Sequence, residues 1–167
     1  MPSMLQALTE IGRIRSVRYR LSDGIFGLLS YSSSDKTLDQ QEEIRRRLNQ
    51  FKDFVEYFGI ISAYENARMQ QDAKQVRSLE GKLLTNTDIY AGVASIFKDL
   101  DEREKIRIKL SKIERVVDSI LSRDNPTSDD VKESLDTLKA LRKQVEERTS
   151  EDEKTAERMI YGSIPTF

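Results

Sequence analysis

Apolar residues in this chain come back at steps of three and four for most of its length. Those steps return a side chain to one face of an α-helix, whereas a strand needs steps of two. Met4, Ala7, Ile11, Ile14, Leu21, Ile25 and Leu28 make the first such stripe. With seven glycines and three prolines in 167 residues, the chain also lacks the frequent turn signals of an all-β protein. The fold class expected is all-α: a bundle of about five to seven helices, with an antiparallel αα-hairpin in the C-terminal half.

Punctuation places the helices. Ser3 can cap the first, and Gly24 and Gly27 weaken it enough to allow a break near Ser22 and Asp23. Residues 32–36, "SSSDK", form the first loop. Thr37 and Gln40 then fit a capping box, opening a helix that can run to Glu80 with Gly81 as its C-cap. Ile44, Leu48, Phe51, Val55 and Phe58 give this helix one stripe; Phe54, Tyr57, Ile61 and Tyr64 give it a second. A helix apolar on two sides packs on two sides, so it is expected at the centre of the fold, with Gly59 marking a kink or a close crossing.

Ile89, Val93, Ile96 and Leu100 outline a third helix, and Asp101 with Glu104 fits a capping box for a restart. Ile106, Leu110, Ile113, Val117 and Ile120 carry the next helix until Pro126 stops it. Thr127 or Ser128 starts the following one, whose Val131, Leu135, Leu138, Leu141 and Val145 face back to complete the hairpin. A short acidic helix over about 150–161 and the tail "GSIPTF" end the chain. Aromatics are absent from 98–160, which divides the protein into an aromatic-rich core, 1–100, and a charged hairpin with its extension, 101–167, packed as one domain.

Composition removes most chemistries. Cysteine and histidine are both absent, so thiolate catalysis, disulfides, thiolate-bound zinc, His-Glu-x-x-His zinc sites and di-iron sites built on Glu-x-x-His cannot occur. Gly81-Lys82 lacks the upstream glycine of a phosphate-binding loop, and no nucleophile elbow is present. No catalytic residue, cofactor or metal is therefore expected. The start has no basic region followed by an apolar run, and no stretch is long enough to span a membrane. A soluble cytoplasmic protein is the resulting expectation.

Two basic clusters remain as candidate nucleic-acid contacts. "RIRSVRYR" holds Arg13, Arg15, Arg18 and Arg20. On a helical wheel Arg13 and Arg20 lie away from the apolar stripe, Arg15 at its edge and Arg18 within it. An arginine in a core-facing stripe needs a carboxylate, a phosphate or a route to water. Lys105, Lys109 and Lys112 share one row, with Arg115 at its edge, while Glu104, Glu114 and Asp118 lie opposite. That row could follow a phosphodiester backbone without reading bases, or answer Glu133, Asp136 or Glu146 across the hairpin. Arg45, Arg46 and Arg47 are consecutive, fan around their helix, and fit local pairing with Glu42 and Glu43.

The formal net charge of −1 gives no global basic bias, so any nucleic-acid contact needs charge segregated onto one face. In size and helicity the chain resembles the small subunits of CRISPR effector complexes, which line those complexes and contact nucleic-acid backbone; no sequence motif carries that likeness. The expected function is a non-catalytic helical subunit of a larger assembly, working by contact with other protein subunits, copies of itself or a nucleic-acid backbone. The alternative is a regulatory adaptor that binds a protein through its hairpin and meets no nucleic acid.

Overall fold

The computed structural model describes residues 4–33 and 36–162. Ser3 and the tail beyond Gly162 lie outside them. The described residues form α1 (Met4–Tyr31), α2 (Leu38–Met69), α3 (Ala73–Leu83), α4 (Thr87–Ile96), α5 (Leu100–Leu121) and α6 (Ser128–Gly162), with no strand among them. The fold is an all-α bundle. α1 packs along α6, α2 and α4, while α2 also carries α3 and α5. Leu21, Phe58, Leu83, Val93, Leu110 and Leu138, one from each helix, belong to a single hydrophobic cluster.

α1 runs unbroken through Ser22 and Asp23. Gly24 is a close crossing and not a break: a Cβ there would stand 2.7 Å from the Phe51 ring. Gly92 serves the crossing of α4 over α1 in the same way, since a Cβ would meet the Arg13 carbonyl oxygen at 2.5 Å. Gly59 makes no such crossing, with nothing within 4 Å of the added Cβ. The core-facing row of α1 runs Ile14, Val17, Leu21, Ile25, Leu28, and Val17 is fully buried. Arg18 is half-buried beside that row and not within it. A face 100° wide admits only one of two neighbours at its centre, and the apolar one takes the place.

The capping box at Thr37 and Gln40 is present in both directions. α2 ends at Met69, eleven residues before Glu80. Its stop is a Schellman turn: the Asp72 N–H donates to the Ala67 carbonyl, the Gln71 N–H donates to the Arg68 carbonyl, and Gln71 has φ 56°. The Asp72 side chain then accepts from Gln75 N–H and caps α3, which places Gly81 inside a helix. The Tyr57 hydroxyl lies 2.6 Å from the carbonyls of both Leu83 and Asn86, pinning the α3–α4 turn to α2.

Asp99, two residues ahead of the expected restart at Asp101, caps α5 by accepting from the N–H groups of Asp101 and Glu102. Leu100 thus opens α5 and is exposed, where the spacing put it at the end of the preceding helix. Thr127 Oγ1 accepts from Asp130 N–H to start α6. No separate acidic helix follows. α6 is one helix of 35 residues, uninterrupted by glycine or proline from Ser128 to Tyr161.

Candidate functional site

α5 and α6 are tied together at both ends. At one end Ser122 to Thr127 turns the chain, after a second Schellman stop in which Asp124 N–H donates to the Ser119 carbonyl at 2.8 Å. At the other end Glu102 accepts from Gln144 Nε2 and, at 2.7 Å, from Arg148 Nη2. The start of α5 thus meets the later part of α6, which makes the pair antiparallel.

Between the ties the two helices do not zip. α6 packs mainly on α1, and α5 mainly on α2. Both buried stripes turn inward: Ile106, Leu110, Ile113, Val117 and Ile120 on α5, and Val131, Leu135, Leu138, Leu141 and Val145 on α6. A groove of about 740 Å³ is left between the helices. Lys109, Lys112 and Arg115 line one wall; Asp130, Glu133 and Asp136 line the other. All six are exposed. Ile113, Val116, Thr137, Ala140 and Leu141 lie between the walls. Lys105 is exposed too but stands outside the lining.

The charges of the two walls do not meet. Among the described residues, no ion pair within 4.0 Å joins Lys105, Lys109, Lys112 or Arg115 to Glu133, Asp136 or Glu146. On the far flank of α5 two of the three carboxylates are engaged: Asp118 pairs with Lys52 at 2.8 Å and Glu104 with Arg107 at 2.5 Å. Burial, reinforced by Asp118 and Glu56, pushes the Glu114 carboxyl above the usual carboxylate range.

The α1 arginines do not join this groove. Arg20 is half-buried and donates to Asp23, which is itself buried and also takes Arg47 at 2.8 Å. The wheel placed Arg20 on free surface; the buried Asp23 carboxylate three residues on recruits it. Arg20 lines a separate depression with Gln50, Asp53, Thr85 and Asn86. Arg13 is half-buried where α4 crosses, Arg15 is exposed, and Arg18 is half-buried. Arg46 and Arg47 both donate to Glu43 and hold its carboxyl down to about 2, so these two pair locally, with Arg47 also reaching Asp23 on α1. Arg45 instead reaches the Leu121 carbonyl at 3.2 Å.

The buried arginine of this fold is Arg103, 5 % exposed. Its Nε and Nη2 donate to the Phe97 carbonyl at 2.9 and 2.6 Å, and Nη1 pairs with Glu65. It borders a second cavity of about 530 Å³ with Ser62, Asn66, Met69 and Leu100. Sequence reasoning passed it over, although it lies three and seven residues before Ile106 and Leu110, on their core-facing row.

Among the described residues no group of three or more histidine, cysteine, aspartate or glutamate side chains could hold a metal ion. No helix there is long and apolar enough to cross a membrane. Compared with known proteins, the chain matches no protein family, no curated protein and no solved structure.

Proposed function

We propose that this chain is a non-catalytic helical subunit that works by contact, and that the α5–α6 groove receives a protein partner. The observation behind this reading is the pair of opposite-sign walls that face each other without pairing. A phosphodiester backbone carries one sign only. Attraction to Lys109, Lys112 and Arg115 would be opposed by Asp130, Glu133 and Asp136 on the facing wall of the same groove. A polypeptide carries both signs and can answer both walls.

Fluorescence anisotropy with labelled single strands and duplex, read across salt concentrations, tests this. The expected result is no binding that depends on the α5 row. Affinity that falls steeply with salt, and a slope that K105E/K109E/K112E flattens, would replace the protein-docking reading with one of backbone contact.

A second reading has an observation of its own: Tyr19, 61 % exposed, stands on α1 beside Arg15 and Arg18. An exposed aromatic among arginines suits stacking on a single strand, in keeping with the likeness to CRISPR small subunits. Binding lost in Tyr19→Ala and kept in K105E/K109E/K112E would favour it.

A further inference from the structure

We infer that the occupant of the α5–α6 groove is an amphipathic helix of another protein, with one acidic flank, one basic flank and a seam of small apolar residues. This rests on the protein-docking reading above.

Three features select a helix. The groove is walled by two helices, so it offers no row of free backbone N–H and C=O groups. An extended peptide laid there would leave its own amides without partners, whereas a helix satisfies them internally. The floor of Ile113, Val116, Thr137, Ala140 and Leu141 is apolar or small, which suits side chains repeating at three and four along a ridge. The lining on α6 runs from Asp130 to Gln144, about 21 Å at 1.5 Å per residue, or roughly four turns of a guest helix.

The charges select the flanks. Lys109, Lys112 and Arg115 call for carboxylates along one side of the guest; Asp130, Glu133 and Asp136 call for lysine or arginine along the other. A second copy of this chain is a poor guest. Its α5 and α6, which carry exposed residues of both signs, already bury their apolar stripes in their own bundle, so the seam a guest must lay on the floor is taken. Because the two flanks of the guest differ, only one chain direction matches both walls at once. Interchanging Glu and Lys throughout the guest turns it end for end and leaves its affinity nearly unchanged.

The test uses the full chain and four labelled 18-residue helical peptides with one Leu/Ala seam. Their flanks are Glu/Lys, the interchanged Lys/Glu, Glu on both sides, and Lys on both sides. Anisotropy should show the two mixed peptides binding at least about ten-fold tighter than either single-sign peptide. A spin label at the peptide N-terminus should broaden resonances most strongly near Gln144 for one mixed peptide and near Asp130 for the other, at opposite ends of the groove. In K109E/K112E both walls become acidic, so the Lys-flanked peptide should become the tightest, with circular dichroism unchanged because both positions are exposed.

Mixed peptides no tighter than single-sign ones, or a ranking unaltered in K109E/K112E, would overturn the inference. So would concentration-dependent dimerisation that K109E/K112E abolishes. A proline-broken mixed peptide that binds as well as the helical one would remove the helix and leave protein docking standing. Single-stranded DNA that binds and is lost in K109E/K112E would remove both.

Discussion

A guanidinium taken out of water needs acceptors for its N–H groups, and Arg103 finds them in the Phe97 carbonyl and the Glu65 carboxylate. One side chain thereby satisfies the last carbonyl after α4, fixes the start of α5 and anchors both to α2. Removing it strands a carbonyl and leaves Glu65, only 20 % exposed, without its cation. Arg103→Met should cost about 3 kcal/mol in urea unfolding, and Glu65→Gln in the same chain should cost much less than it does alone. Fully additive losses would show that the two residues act separately. Glu114 makes the opposite case. Its raised pKa means the folded state holds the proton more tightly than the unfolded one. Stability therefore falls as pH rises from the ordinary glutamate value through the raised one, and the penalty is complete above it. Glu114→Gln should raise Tm by about 2 °C at pH 7 and by nothing near pH 3, where the carboxyl is protonated in both states. An equal gain at both pH values would mean that packing, and not charge, is the cause.

At the scale of the element, Gly81 separates two arrangements. As a C-cap it would need a left-handed conformation, but no glycine of the described residues has positive φ, and Gly81 lies within α3 with open space around it. Gly81→Ala should therefore stabilise the protein by about 0.5–1 kcal/mol, read as a rise in Tm. A loss would put the helix end back at residue 81. Helix ends are less legible in a sequence than helix faces. Steps of three and four locate the buried rows of α2, α5 and α6 at once, because burial follows the 3.6-residue turn directly. The stop after Met69 depends on a glutamine accepting φ 56°, and glutamine gives no advance sign of that. The groove was half legible in the same way. Its lysine row is a periodicity on one helix, while its acidic wall faces that row only because α1 and α2 draw α6 and α5 apart. The pairing of Arg20 with Asp23 and of Arg103 with Glu65 is set by packing, which spacing along the chain does not encode.

The whole molecule sets whether the aromatic-rich part and the aromatic-free hairpin melt together. α6 lies on α1, and Tyr31 Oη donates to Asn125 Oδ1 at 3.3 Å while Gly24 sits under Leu138, so the last helix runs antiparallel along the first. α5 is bound to α2 in its turn, and the hydrophobic cluster passes through all of them without a gap between the segments. A hairpin merely attached to a finished core could lose stability alone. One built into the core cannot, because α1 has no other cover for the face that α6 buries. Leu138 is fully buried and belongs to a stretch, 98–160, without any aromatic residue. Leu138→Ala should cost about 2–5 kcal/mol. Near-UV circular dichroism of the packed Phe and Tyr rings should report the same shifted midpoint as far-UV dichroism of all the helices. If the far-UV transition moves to lower urea while the near-UV transition holds its wild-type midpoint, α6 unfolds from a core that stands without it. The groove would then be a feature of two separable bodies and not of one.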